Sequence, residues 1–500
     1  MEKKDHKSNK IHYILLGIVL IIGIIIRIWG LWDKSLWIDE MYSYLFSSQK
    51  TFFGSFVYMF SDLSPPIYYL SLYLWLKLFG NSEFMIRFPS FLAGIASIIV
   101  IYFLTKKTFN KQIALGAAIL TGLSPVMLYY SQEARPYSLF ALFSIVAVLF
   151  WVQIINKINN NEELDTKTLL KYSSFSLLAI FTHYWGLIPA FFQILYLLIF
   201  SLIKKSRVKP LFIAAINIFY ISGFYLFFQY SFLKKYAVVL NPTFMRVNTL
   251  NPLGQIFNQI FYENYVFFLI IIIFLLLNFK KIIAFITNEI TVRKLASPLI
   301  YLSYIIILPI CIYLILDKTS AFLHPRHLIF VIPVVYVLIS YIIFSFDYHQ
   351  EFLKTSFLFG LSLTFLGVYL FLPQKIQNRV FTYYNKPKQE WKEATHYIIN
   401  NADKNSVIII DRVEDFYNYY FNKLDKNINK FNIVVDKQIF YQKGFNQKIS
   451  NYKKKYKKVY IFSTSMLGVE QIQDSVKTIK PSCTDLKQKK FVNINLYECD

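Results

Sequence analysis

Apolar positions along this chain gather in long, nearly uninterrupted runs, with most charged residues in the stretches between them. The runs approach the ~20 residues a helix needs to cross a hydrocarbon core. They predict spans near 11–28, 87–105, 113–130, 138–156, 172–184, 185–203, 211–229, 264–279, 298–316, 328–346 and 356–373, about eleven in all. The first is longer than a signal-peptide core and lacks a small-residue cleavage site, so it reads as an uncleaved span. Between it and the second, residues 31–86 carry Asp33, Lys34, Asp39, Glu40, Lys50, Asp62, Lys77 and Glu83, a load that no lipid-crossing helix tolerates. Within that stretch, residues 66–80 are apolar but short for a span and read as an interfacial helix.

That choice sets the parity of every later span. With 66–80 in the interface, four basic loops fall inside: Lys106, Lys107 and Lys111; Lys157, Lys167 and Lys171; Lys204, Lys205, Arg207 and Lys209; and Lys280, Lys281, Arg293 and Lys294. Counting 66–80 as a span would put all four outside, against the positive-inside bias. The N-terminus is then cytoplasmic and the loop 347–354 is the last inside loop.

From about Gln374 the pattern changes to Lys- and Asn-rich polar sequence. Short β-type runs at 407–410 and 459–462 alternate with helical patterns around 388–401 and 413–423, as in an α/β domain. The fold expected is therefore an α-helical polytopic membrane domain over 1–373 and an extracytoplasmic α/β domain over 374–500.

Composition supports this division. Hydrophobic residues make up 56% and aromatic residues 19% of the 500, well above a soluble domain's share. The formal charge of +24 comes without zinc-finger spacing, an RNP-like motif or a helix-turn-helix pattern, so it reports topology and not nucleic-acid binding. Cys311 lies in an apolar run. Cys483 and Cys499 have no metal spacing, and an extracytoplasmic position would permit them to pair or to remain two thiols.

On this topology the outer ionisable residues are Asp39-Glu40, Glu133-Ala134-Arg135, His183, Lys234-Lys235, Arg246 and His324-Pro325-Arg326-His327. They come from different loops yet share one face, as a polar site at a membrane surface requires. Asp39 follows Ser35-Leu36-Trp37-Ile38, and a partly desolvated carboxylate there suits a general base. The residues alone equally describe the wet face of an interfacial helix. Arg135 offers a fork of donors that matches phosphate, with Glu133 beside it; a hydrated turn with a local ion pair is the plainer reading. Arg326 suits a lipid phosphate or snorkelling to headgroups. Tyr137 and His183 are assigned to substrate binding. His183, His324 and His327 leave a divalent cation as one candidate cofactor, otherwise unassigned. Walker, dinucleotide-binding, zincin and nucleophile-elbow motifs are all absent, which sets aside ATP-driven transport and several hydrolase classes.

Four ordered blocks go together: Leu36-Trp37-Ile38-Asp39-Glu40; Ser64-Pro65-Pro66-Ile67-Tyr68-Tyr69; Phe79-Gly80-Asn81-Ser82-Glu83 through Arg87-Phe88-Pro89-Ser90; and Tyr130-Ser131-Gln132-Glu133-Ala134-Arg135-Pro136-Tyr137. The set resembles the GT-C membrane glycosyltransferases of family 39, which include protein O-mannosyltransferases and the bacterial aminoarabinose transferase for lipid A. The resemblance covers about the first 200 residues well and the later spans loosely. It implies that Asp39 is the catalytic base with Glu40 supporting it, that Glu133 is a second active-site acid, and that Arg135 and Arg326 meet the donor phosphate. It also implies interfacial helices around Pro65-Pro66. Many relatives have His-Pro-Pro where this chain has Ser64-Pro65-Pro66, so no role passes to a His there. The soluble repeats of eukaryotic relatives are absent, and a protein acceptor is not implied. The implied partners are a polyprenyl-phosphate sugar, a cell-envelope acceptor and the bilayer of the cytoplasmic membrane. A lipid-linked-sugar flippase is the rival, but the internal repeats and broken, charged helices it calls for are not visible.

Overall fold

A computed structural model describes residues 2–60, 65–236, 253, 254, 256, 297–317, 324–344, 351–371, 389–410, 414–424, 432–435, 445–464, 483, 485–491 and 494–499. The expected span 264–279, Ser64, Arg246 and half of the 347–354 loop lie outside these residues. The chain divides into two compact units, residues 1–31 with 46–375, and residues 32–45 with 376–500.

The first unit is helical. Its helices are α1 (Glu2–Ile28), the distal part of α2 (Ile38–Ser47), α3 (Phe52–Phe60), α4 (Pro66–Phe79), α5 (Glu83–Thr108), α6 (Lys111–Gly122), α7 (Pro125–Ser131), α8 (Tyr137–Asn159), α9 (Thr166–Thr182), α10 (Leu187–Ile203), α11 (Lys209–Tyr236), α12 (Pro298–Asp317), α13 (Ile332–Phe344) and α14 (Glu351–Phe371). A 3₁₀ turn, Pro325–Val331, leads directly into α13. Among the described residues, six helical stretches are long and apolar enough to cross a membrane: Glu83–Thr108, Tyr137–Asn159, Tyr184–Ile203, Lys209–Tyr230, Pro298–Leu316 and Pro325–Phe344. They coincide with six of the expected spans.

The expected span 113–130 is not one straight helix, because α6 and α7 meet at a 57° bend. The cause is local. Pro125 has no N–H for the carbonyl of Thr121, four residues back, and Ser124 starts a new helix by accepting from the Met127 N–H at 3.3 Å. Helix α4 has 14 residues, about 21 Å at 1.5 Å per residue, short of a hydrocarbon core of ~30 Å. It starts on Pro66 and ends at Gly80, whose φ of 84° is open to glycine at no steric cost. Tyr68, Tyr69, Leu72, Tyr73 and Leu76 form its buried face, while Leu74 and Leu78 stay exposed, the pattern of a helix with one face on protein.

The second unit contains α15 (Trp391–Asn401), β1 (Ser406–Ile410), α16 (Glu414–Leu424), β2 (Asn432–Val435), α17 (Phe445–Lys455), β3 (Lys458–Thr464), β4 (Leu486–Phe491) and β5 (Ile494–Cys499). The sheet order is β2-β1-β3-β5-β4. The helix-linked strands β2, β1 and β3 run parallel, as crossover connections require, and β5 and β4 complete the sheet antiparallel. Val407, Ile409, Ile449, Val459, Ile461, Tyr497 and Cys499 form one face of its core. The edge strand β4 (LKQKKF) exposes a run of lysines, which discourages pairing with another chain. Cys483 and Cys499 are disulfide-bonded across 16 residues. At Glu498, burial pushes the carboxyl pKa up, but Lys458 at 2.8 Å and Tyr460 outweigh it and the net shift is down.

Candidate active site

In the helical unit, the turn between α7 and α8 is where three of the four sequence blocks meet. It is tight: the Arg135 N–H donates to the Glu133 carbonyl at 2.8 Å. Its approach is bolted to the end of α1. The Gln132 side-chain amide donates to the carbonyls of Arg27 at 3.1 Å and Trp29 at 2.8 Å. Ser131 Oγ accepts from Arg27 Nε at 3.2 Å. Helix α5 comes so close here that a Cβ on Gly94 would collide with Ser131 Oγ.

The far side of the turn is held by the other blocks. Ser90 Oγ donates to the Arg135 carbonyl at 3.1 Å, and the Tyr68 hydroxyl lies 3.2 Å from the same Ser90 Oγ. Arg87, buried on α5, donates to the Leu31 carbonyl at 2.9 Å. A buried chain of polar contacts therefore links the Pro-Pro helix, the Arg-Phe-Pro-Ser segment and the turn carrying Glu133 and Arg135. Glu133 itself is 6% exposed.

Around the turn, the structure gathers Arg135, Tyr137, His183, Arg326 and His327. The Arg135 and Arg326 guanidiniums lie 5.9 and 5.4 Å from the centroid of the same Tyr137 ring. Each distance is within cation–π range, and together they place two planar forks of donors on one aromatic side chain. The Tyr137 ring is 5.6 Å from His183. His183 stacks on Phe140 at 5.1 Å and sits 5.0 Å from His327. Local caps set these histidines: His183 Nδ1 accepts from the Trp185 N–H at 3.3 Å, and His327 Nδ1 accepts from the His324 N–H at 3.5 Å, while His324 Nδ1 accepts from the Arg326 N–H at 3.2 Å. Among the described residues, no three His, Cys, Asp or Glu side chains gather as a metal-binding group.

Asp39 and Glu40 belong to the other unit and occupy the first turn of α2. Glu40 is 1% exposed, and its carboxylate accepts from the Trp37 N–H at 3.3 Å. That contact satisfies one of the orphan donors at the helix start and gives Glu40 a structural task beside the supporting role expected of it. Asp39 is partly buried, and its carbonyl accepts from Ser43 Oγ at 3.0 Å.

Arg27 escaped the reading of the sequence. It lies inside the first apolar run and is fully buried. Besides Ser131, it donates to the carbonyls of Gly23 at 3.2 Å, Gly122 at 2.6 Å and Thr121 at 3.4 Å. The signal that would have found it is a charge inside a span, which is functional or structural by default.

The chain is similar to known proteins both in sequence and in fold. The family described as dolichyl-phosphate-mannose-protein mannosyltransferase matches residues 64–227, a segment that includes the Pro-Pro helix, Arg87, the Glu133–Arg135 turn and His183. A relative from Bacillus subtilis (strain 168), named "Putative mannosyltransferase YkcB", is 24% identical over 164 residues. That match covers 31% of this chain and 22% of the relative, so the chain spans about a fifth of that protein's length. Among solved structures, ArnT from Cupriavidus metallidurans in the apo state superposes with a TM-score of 0.57 at 10% identity over 98% of both chains. The same protein bound to undecaprenyl phosphate gives 0.54 at 11% identity over 97% of both. The apo oligosaccharyltransferase of Archaeoglobus fulgidus gives 0.51 at 12% identity, over 93% of this chain and 71% of that one. The expected resemblance and the mostly helical membrane fold with a small C-terminal sheet both hold. This chain therefore has the GT-C fold and, in its motifs and matched segment, is similar to the membrane glycosyltransferases of family 39.

Proposed function

We propose that this protein is a membrane glycosyltransferase that moves a sugar from a polyprenyl-phosphate donor to a lipid, glycan or protein acceptor on the outer face of the cytoplasmic membrane. The observation that carries the reading is the pair of guanidiniums, Arg135 and Arg326, on the Tyr137 ring. Two guanidiniums this near one ring supply donor forks of the kind a phosphate takes, and two positive charges suit the dianionic monoester that the lipid phosphate becomes once the sugar has left. A structural relative with undecaprenyl phosphate bound supports the choice of lipid phosphate. In this account residues 1–373 form the transfer domain and 374–500 the outer α/β domain, with the N-terminus inside. The disulfide in the second unit suits an oxidising, extracytoplasmic compartment.

In the proposed reaction Asp39 accepts the proton of an acceptor hydroxyl. The freed oxygen pair forms a bond to the anomeric carbon as the bond from that carbon to the phosphate oxygen breaks, inverting the centre. The departing lipid phosphate keeps that electron pair, and Arg135 and Arg326 stabilise its charge. Glu133 sits in the same turn as Arg135, and Tyr137 and His183 line the place where the donor's sugar and phosphate meet.

Binding of undecaprenyl phosphate to the purified protein in micelles, followed by a lipid-phosphate displacement assay, tests the phosphate site. Arg135→Ala and Arg326→Ala are each expected to weaken binding about 10-fold or more, since a charge-assisted hydrogen bond contributes roughly 1.5–3 kcal/mol. Binding unchanged in both variants would remove the phosphate role of this pair.

A further inference from the structure

The segment that carries Asp39 has few local determinants. Residues 35–37 have no regular secondary structure, and α2 begins on Trp37 as N-cap, whose carbonyl accepts from the Met41 N–H at 2.9 Å. A tryptophan offers no side-chain acceptor for the orphan N–H groups of the first turn. These donors are satisfied in two other ways. Glu40 takes the N–H of Trp37. The N–H of Ile38, the residue before Asp39, goes to Gln389 Oε1 at 3.0 Å, across 351 positions of sequence.

Two more contacts of the same kind lie just upstream. The Leu36 N–H donates to the Tyr420 hydroxyl at 2.6 Å. Ser35 Oγ donates to Glu393 at 2.9 Å and accepts from the Lys392 N–H at 3.1 Å. Downstream, the Tyr44 ring meets Tyr419 edge-on at 4.9 Å. The anchors are themselves fixed. Trp391 is 1% exposed and its indole N–H donates to the same Gln389 oxygen at 3.0 Å, and Tyr420 is fully buried. Side chains locked by a packed core hold a functional group far more closely than a loop does alone.

We propose that Gln389 and Tyr420, together with Glu393 acting through Ser35, are positioning residues for the Asp39 carboxylate, which makes the C-terminal α/β unit a working part of the transferase. The inference rests on the reading of Asp39 as the general base. None of these residues is assigned a contact with donor or acceptor, so their loss should lower the rate of the chemical step and leave donor binding alone. A misplacement of ~1 Å at a reacting group can cost about 100-fold.

The test uses the full-length protein in liposomes with a polyprenyl-phosphate sugar that wild type transfers. It compares wild type, Gln389→Ala/Tyr420→Phe, Gln389→Glu, Asp39→Asn and the triple variant, with amide hydrogen exchange of residues 36–40 read in parallel. The double variant is expected to lose about 10- to 100-fold in kcat with donor KM within about twofold of wild type. Amides 36–40 should exchange faster while those of β1 and β3 stay protected, and Gln389→Glu, which keeps the acceptor oxygen, should restore most of kcat. On the Asp39→Asn background the double change should cost nothing more, as coupled residues require. Should the double variant lose protection in the sheet, Tyr420→Phe alone takes its place, since it removes one hydroxyl from a side chain that otherwise stays packed. Wild-type kcat and exchange in that variant, with Asp39→Asn inactive, would overturn the positioning role while leaving the base in place. A full additional loss on the Asp39→Asn background would also overturn it. An active Asp39→Asn protein would remove the general-base reading itself, and this inference with it.

Discussion

Replacing Arg27 with Met keeps the length and apolar stem of the side chain and removes its donors. Helix α6 stops at Gly122 because Pro125 cannot supply the N–H that the Thr121 carbonyl would accept. Its last carbonyls are orphans, and Arg27 covers two of them, Gly122 at 2.6 Å and Thr121 at 3.4 Å. A cation at a helix C-terminus is also favoured by the helix dipole. Leaving two buried acceptors without donors costs about 1–3 kcal/mol each. Burying a neutral side chain in place of a charged one offsets part of that. The net expectation is about 2–4 kcal/mol of lost stability by those two principles. Arg27→Lys should fall between, because one ammonium cannot reach Ser131, Gly23, Thr121 and Gly122 together. Fluorescence-detected size-exclusion after graded heating in detergent reads this directly. An Arg27→Met protein that survives heating as well as wild type would refute the capping argument.

Two further outcomes follow from a loop of the helical unit and from the sheet of the second. Cys483→Ser opens a loop of 16 residues, for which the chain-entropy account predicts about 3 kcal/mol; a chemical-denaturation midpoint unchanged from wild type would contradict it. Asp165 caps α9 by accepting from the Thr168 N–H at 2.8 Å, with Lys157 3.0 Å away, and these contacts hold its pKa down at about 2. Because the folded value lies below the unfolded one, this stabilisation is present above pH ~4 and fades as pH falls toward 2. Asp165→Ala should lower stability by about 1 kcal/mol at pH 7 and flatten the acid-side loss, and a variant with the wild-type acid profile would rule the cap out.

Much of the architecture was legible in the residues, for a physical reason: a bilayer forces continuous apolar runs, and a small parallel sheet forces short buried strands between helical patterns. Thus β1 and β3 fall where Val407 and Val459 begin apolar runs, and α4 ends at Gly80, where the apolar stretch 66–80 ends. What stayed hidden depends on long-range pairing. The bend at Ser124-Pro125 was visible in principle, but hydropathy averages over it. Arg27 was masked by the isoleucines around it. The link of Tyr68 through Ser90 to the Arg135 carbonyl joins three motifs that sequence order alone keeps apart. The hydrogen bonds from Ser35, Leu36 and Ile38 to Glu393, Tyr420 and Gln389 cross more than 350 residues, a distance over which no local pattern speaks. Of the site residues, Arg135, Tyr137, His183 and Arg326 are brought together in the helical unit, whereas Asp39 and Glu40 are set by the other.

The central claim is sugar transfer from a polyprenyl phosphate with Asp39 as the base. The most direct measurement reconstitutes wild-type and Asp39→Asn protein in liposomes with radiolabelled polyprenyl-phosphate sugars and a cell-envelope acceptor extract. The account predicts label on acceptor with wild type and a rate lower by ~10²–10⁴-fold with Asp39→Asn. No transfer from any donor, or equal transfer by the two proteins, would contradict it.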